Sequence, residues 1–196
     1  MAKAKLPLMG VEARGQLAKA IVFFPWKGIQ AVRTHVYPSQ PRTAAQIALR
    51  NDFKSHVDAW HDALMVADDK AAWNLYAGVT KRAASGFNEF LSYFRKFYDP
   101  ADNKDYIRDM AVSGNTGGAM TLNMNCSDDT VRNVTVYYGY SKTFMPYTAT
   151  ATRVGANDWQ ASLAGLTIGA DLYFYAIDEV ATYYGRTGIY KEEVLP

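Results

Sequence analysis

Polar and apolar residues alternate along much of the last ninety residues. Residues 120–125 and 134–138 each place an apolar side chain at every second position. Alternation with a period of two is typical of strands that bury one face. Further runs rich in β-branched and aromatic residues occur at 107–112, 147–154, 159–163, 172–177 and 188–192. Six or seven short strands, separated by Gly, Asn, Asp and Ser clusters, predict a β-sandwich over residues 105–196.

The middle of the chain instead follows the period of an amphipathic helix. Thr43 and Gln46 fit a capping box, in which two side chains satisfy the exposed backbone N–H groups at a helix start. The apolar stripe of this helix advances in steps of four, three and four: Phe53, Val57, Trp60 and Leu64. Two further helices have mostly aromatic buried sides: Trp73, Tyr76, Phe87, Phe90, Leu91, Phe94 and Phe97. The pattern predicts a three-helix bundle over residues 43–104.

The first forty residues lack a helical period. β-prone runs at 20–25 and 29–37 flank the Trp-Lys-Gly segment 26–28, and this arrangement predicts a β-hairpin. Pro38 and Pro41 then hold the chain extended and outside any central sheet. The predicted fold class is therefore α+β, with three parts along the chain: an extended basic arm with the hairpin (1–42), the helical bundle (43–104) and the β-sandwich (105–196).

Charge is distributed unevenly along the 196 residues. The whole chain has 21 basic and 19 acidic residues, so its formal net charge is only +2. Residues 1–54 contain nine basic and two acidic residues, a net charge of +7, which leaves −5 for the remainder. A basic arm on a mildly acidic body is a recurrent pattern in proteins that assemble on an acidic partner or on one another.

The sequence offers no residue set for catalysis, cofactor binding or metal binding. Cys126 has no local histidine partner, and the lysine of a phosphate loop does not follow the glycine-rich segment 114–118. His56 and His61 point about 140° apart on a helix, so we expect surface or interface histidines rather than metal ligands. The acidic pair at 68–69 fits a helix cap. We therefore predict that the protein is not an enzyme and uses no cofactor.

No segment fits a signal peptide or a membrane span. Residues 6–11 are too short for the apolar core of a signal peptide, and Glu12 and Arg14 follow at once. The longest apolar run, residues 20–25, is far shorter than the roughly 20 residues that cross a bilayer. We expect a protein made and assembled in the cytoplasm without a membrane partner.

The predicted sandwich has strands whose order and spacing are similar to those of a fibronectin type III domain. Residues 166–172, Leu-Thr-Ile-Gly-Ala-Asp-Leu, resemble the Leu-x-Pro-Gly-x-x-Tyr corner of that family. Ile168 stands where the family prefers proline, and Leu172 stands where it prefers tyrosine. The resemblance implies that the hydroxyl that ties this corner to the backbone is missing, unless Tyr173 replaces it.

A second string of residues runs through the arm and the first helix: Gly10, Arg14, Gly15, Phe24, Trp26, Lys27, Gly28, Arg33, Tyr37, Pro38, Pro41, Thr43, Gln46, Arg50 and Phe53. It resembles a segment that recurs in bacteriophage and prophage proteins, which are mostly virion components. The resemblance implies a structural subunit of a phage particle, either a capsid decoration or cement protein or a tail or neck component. Its expected partners are copies of itself and other virion proteins.

We expect the arm to make these subunit contacts. A short basic hairpin with apolar side chains on both faces and unpaired edges is marginal alone and requires a partner. The candidate interface residues combine aromatic anchors with basic side chains: Arg14, Phe23, Phe24, Trp26, Lys27, Arg33 and Tyr37.

Two other functions stay open at this point. A receptor- or glycan-binding module would use the sandwich and exposed tyrosines, with Tyr137, Tyr183 and Tyr184 as candidates. Direct contact with nucleic acid is disfavoured, because the basic residues of the arm are spread over fifty residues without a helical stripe.

Overall fold

A computed structural model describes residues 2–3, 15–27, 29–37, 42–80, 85–96, 106–126, 133–179 and 185–196. These residues form three helices and three β-sheets, so the fold is α+β as predicted. The chain divides into two compact units, Met1–Thr43 and Ala44–Pro196. The three-part division at residues 42 and 104 stays a prediction.

The first unit contains one antiparallel sheet. Its strands are β1 (Ala2–Lys3), β2 (Gly15–Leu17), β3 (Ile21–Trp26) and β4 (Ile29–Thr34), and their order is β1-β4-β3-β2. β3 and β4 pair from Ile21 opposite Thr34 to Trp26 opposite Ile29. The turn between them places Lys27 at a φ of 50°, in the left-handed region. The sequence pattern indicated β3 and β4 but not the flanking strands β1 and β2.

Helices α1 (Ala44–His61), α2 (Ala67–Thr80) and α3 (Gly86–Lys96) begin the second unit. Trp73, Phe90 and Phe94 lie at the centre of their core, each 1% exposed. α3 starts directly against α2, since the Gly86 N–H donates to the Asn74 side chain over 2.8 Å. A Cβ on Gly86 would lie 2.6 Å from the Asn74 backbone nitrogen, so only glycine fits this approach.

The predicted buried stripe of α1 is wrong at its ends. Phe53 is 43% exposed, and Leu64, which follows the end of α1, is 40% exposed. His56, expected at a surface or interface, is instead fully buried, and Ala59 is buried as well. His56 Nδ1 lies 2.7 Å from the hydroxyl of Tyr106, and this polar contact turns the histidine face of the helix inward. Burial of an imidazole costs little free energy when the ring is hydrogen-bonded. The pattern of hydrophobic residues in the sequence does not detect such a buried polar side chain.

The remaining strands form two four-stranded antiparallel sheets, as in a β-sandwich. In chain order they are β5 (Ile107–Thr116), β6 (Ala119–Cys126), β7 (Val134–Gly139), β8 (Tyr147–Thr150), β9 (Thr152–Arg153), β10 (Asp158–Leu163), β11 (Asp171–Asp178) and β12 (Tyr190–Glu193). The sheet orders are β5-β6-β10-β9 and β12-β11-β7-β8. Alternate residues of β6 point into an apolar core, as the period of two predicted, and alternate residues of β11 point into the same core.

The corner before β11 is tied to the backbone by a tyrosine from another strand end. The hydroxyl of Tyr140, directly after β7, accepts a hydrogen bond from the Thr167 N–H over 2.9 Å. Tyr140 thus supplies a hydroxyl-to-backbone contact at this corner, and the replacement by Tyr173 stays a prediction.

The carboxylate of Asp69 joins α2 to the sandwich. It is 1% exposed and accepts hydrogen bonds from the N–H groups of Val66, Asp109 and Met110 and from the hydroxyl of Tyr190. Burial and the Asp69 charge raise the pKa of Tyr190 well above its ordinary value, so the hydroxyl stays a donor. The predicted helix cap is therefore also the link between α2, β5 and β12.

A close backbone approach reinforces this link. The Ile189 N–H donates to the Ala72 carbonyl over 3.0 Å. A Cβ on Gly188 would lie 2.3 Å from the Ala72 carbonyl carbon. The absence of a side chain at Gly188 is what lets α2 lie directly on the segment that leads into β12.

Asp69→Ala should destabilise the protein by about 2–4 kcal/mol, because it leaves several buried donors without an acceptor. Urea unfolding followed by tryptophan fluorescence measures the change. Asp68→Ala, at the exposed neighbouring carboxylate, is the matched control and should change the free energy of unfolding by less than about 0.5 kcal/mol. Equal effects of the two substitutions would contradict this role of Asp69.

Asp62→Asn should destabilise the protein by about 1–2 kcal/mol at pH 7, since it removes the charged partner of buried Arg108 at 3.0 Å. The Leu64 N–H, and then Arg108, lower the pKa of Asp62 below its ordinary value. The stabilisation is therefore present above about pH 4 and is lost as the pH falls through the lowered pKa.

Unfolding curves of the wild type and of Asp62→Asn at pH 7 and at pH 2 check this. The difference between the two proteins should shrink at the lower pH. Asp58→Asn, at an exposed pair with Lys54, is the control and should change little at either pH. A difference that grows on acidification would refute the assignment.

Candidate assembly surface

Six of the seven predicted interface residues lie on the sheet of the first unit or next to it. Phe23, Phe24 and Trp26 are on β3, and Lys27 is in the turn that follows. The other two described residues are on β4 or just beyond it: Arg33 and Tyr37. Arg14 lies outside the described residues.

The sheet places these residues on two different faces. Phe24 and Trp26 share a face with Arg33, whose guanidinium carbon lies 5.3 Å from the centre of the Phe24 ring. Phe23 lies on the opposite face with Ile21. The described part of this sheet therefore has apolar side chains on both faces.

Several apolar side chains of this unit are well exposed. The exposed fractions are 57% for Leu17, 38% for Ile21, 54% for Trp26, 70% for Val36 and 68% for Tyr37. Phe23 and Phe24 are half-buried. We name this set, with Lys27 and Arg33, the arm surface; it includes residues of both faces of the sheet, and exposed apolar area is a common feature of interaction sites. Leu17, Ile21 and Val36 are not among the interface residues predicted from the sequence, although the period-two spacing of Ile21 and Phe23 could have indicated Ile21.

The edges of the sheet are also open to pairing. Among the described residues, β2 is an edge strand of three residues, and β1 pairs only with Ala31 and Val32 of β4. Residues 15–37 contain Lys19, Lys27 and Arg33 but no carboxylate. The arm surface therefore offers unpaired backbone groups, apolar area and positive charge together.

A second polar and aromatic feature lies in the other unit. The guanidinium carbon of Arg186 lies 4.4 Å from the ring centre of Tyr76 and 4.5 Å from that of Tyr175. Tyr175 stacks on Tyr137 at 5.2 Å, and the Tyr137 hydroxyl donates to Glu179 over 2.9 Å. The Arg186 Nε atom is buried and has no hydrogen-bond partner among the described residues. This row was not predicted, because its members come from three distant parts of the chain.

One of the three tyrosines that are candidates for glycan binding, Tyr137, belongs to this row. Tyr137 is half-buried, with one face against Tyr175. Tyr183 and Tyr184 lie outside the described residues.

The described residues contain no group of three or more His, Cys, Asp or Glu side chains that could hold a metal ion. Cys126 is fully buried in the sandwich core. Within the same described ranges, no helix has both the length and the apolar character needed to cross a bilayer.

No family model and no curated protein match this chain. Two solved structures are similar to parts of it. "Crystal structure of Br derivative BhCBM56" is 13% identical, covers 45% of this chain and 91% of its own, and has a TM-score of 0.35. The sensor domain of the anti-sigma factor RsgI4 in Pseudobacteroides cellulosolvens is 10% identical, with 47% and 74% covered and a TM-score of 0.34. Likenesses this weak carry no functional argument, so function follows from the chain's own residues.

Proposed function

We propose that this chain is a non-enzymatic structural subunit that assembles with copies of itself and with other proteins through the arm surface. The main support for this proposal is that several apolar side chains of a small compact unit are exposed: Leu17, Trp26, Val36 and Tyr37. Exposed apolar side chains in a monomer favour association, and aromatic and arginine side chains dominate the energetics of interfaces.

The electrostatics of the arm surface support the same function. Its described basic residues face no carboxylate within residues 15–37, so their charge is available to an acidic partner. Complementary charge increases the rate of association and fixes the orientation of the partners. Aromatic side chains that become buried in the interface supply most of the affinity.

The setting that we propose for this assembly is a bacteriophage particle. It is supported by the resemblance of residues 10–60 to a segment that recurs in phage and prophage proteins. In this proposal the protein is part of the virion, in capsid decoration or in the tail or neck, and the fibronectin type III-like sandwich is its second module.

A receptor- or glycan-binding module is the alternative, and one observation favours it. Arg186 stacks between Tyr76 and Tyr175, and its buried Nε atom has no hydrogen-bond partner among the described residues. A guanidinium held between rings is preorganised to bind a carboxylate or hydroxyl group.

A glycan array tests the alternative. Binding by the full chain that falls about tenfold or more in Arg186→Met would support it. Arg95→Met, at an exposed arginine of α3, is the matched control and should leave binding unchanged. No binding to any glycan or to host cells would remove the alternative.

Trp26→Ala tests the assembly function. Loss of this anchor should weaken association by roughly 30-fold or more, as at other interface hot spots. The fold should persist, because more than half of the side chain is exposed to solvent. Sedimentation equilibrium of the full chain, and mass spectrometry of particles of a phage that encodes the variant, measure the effect.

Phe144→Ala is the matched control, since Phe144 is an aromatic residue that is 68% exposed outside the arm. It should assemble like the wild type. The proposal fails if Trp26→Ala also assembles like the wild type and enters particles at the same copy number.

A further inference from the structure

A cleft opens between the first and last strands of the sandwich, beside α2. It encloses about 500 Å³. Its floor is apolar and contains Met110, Phe174 and Tyr190, all at least nine-tenths buried, and Leu75 and Val112 form its sides. An apolar floor with a few polar groups is typical of a binding site, and the volume lies in the range of such sites.

The two strands that border the cleft are sheet edges. Among the described residues, β5 pairs only with β6, and β12 pairs only with β11.

Side-chain hydrogen bonds fix both ends of the cleft. Asp69 connects β5 and β12 at one end. At the other end, Asn115 donates to the Glu193 carbonyl over 2.8 Å and accepts from the Leu195 N–H over 3.0 Å. The cleft is therefore preformed, which lowers the entropic cost of binding.

The rim of the cleft is acidic. Asp68 and Glu192 are exposed and line it. Lys191 also lies there, but its ammonium group pairs with Asp171 at 2.8 Å. The net field at the rim therefore favours a cationic partner.

We propose that this cleft binds Trp26 and Lys27, at the tip of the arm of a second copy of the chain. The inference rests on the proposed assembly function and specifies the partner surface. Trp26 is a large side chain, 54% exposed, which suits an apolar cleft. Lys27 follows it directly and can meet Asp68 or Glu192.

The charge of the whole chain supports a second copy as the occupant. Residues 1–43 have seven basic residues and one acidic residue, a net charge of +6. Residues 44–196 have 14 basic and 18 acidic residues, a net charge of −4. When two copies exchange arms reciprocally, the contact closes a two-fold dimer, and when each arm binds the next copy in line, it builds a ring or a filament.

A charge-reversal experiment on the full chain tests the inference. Lys27→Glu and the double variant Asp68→Lys/Glu192→Lys should each weaken self-association by at least about tenfold. A mixture of the two variants should regain association, because the reversed arm of one then meets the reversed cleft of the other. Lys142→Glu, at an exposed residue in the turn between β7 and β8, is the control and should associate like the wild type.

The possible results separate this inference from the proposed function. If Trp26→Ala abolishes assembly but reversal of the cleft charges has no effect, the arm binds elsewhere; the inference is then overturned and the assembly function stands. If the mixture sediments as two monomeric variants, the inference is also overturned. If Trp26→Ala assembles normally, the assembly function itself fails.

Discussion

The second unit depends on one buried carboxylate. Asp69 caps α2 and at the same time receives hydrogen bonds from β5 and from the Tyr190 hydroxyl. A buried charge is tolerated only when its hydrogen-bonding capacity is filled, so the helix and both edge strands must stay in register with it. The position of α2, the closeness of Gly188 to Ala72 and the shape of the cleft between β5 and β12 all follow from this constraint.

The first unit has no comparable internal constraint among its described residues. Its sheet has apolar side chains on both faces; where the burial of its strands is described, only Ala31 is buried, and Val22, Phe23, Phe24 and Val32 are half-buried. Small sheets gain stability when a second layer covers one face. In the assembly that we propose, a neighbouring subunit provides this second layer.

Local pattern predicted most of the strands and all three helices. The period of two in β6 and the start of α1 directly after Thr43 depend only on neighbours in sequence. The predicted buried face of α1 is wrong, because a residue distant in sequence decides which face is buried. Tyr106 contacts His56 across fifty positions and rotates α1.

The candidate sites likewise divide into those that a local run of sequence indicates and those that depend on residues distant in sequence. The aromatic residues of β3 stood out in the sequence because they lie in one short run. The row that Arg186 forms with Tyr76 and Tyr175, and the cleft that Asp69 and Asn115 close, combine side chains from separate elements. No local period or spacing contains that information.

The link between Asn115 and the last strand has a mechanical consequence. Antiparallel backbone hydrogen bonds run perpendicular to their strands, so tension along β12 loads its bonds to β11 in shear. The two Asn115 bonds share that load with β5 in the opposite sheet. Both sheets of the sandwich would therefore carry a stretching force applied to β12. The hydrogen bonds of the strand would have to break together rather than one after another.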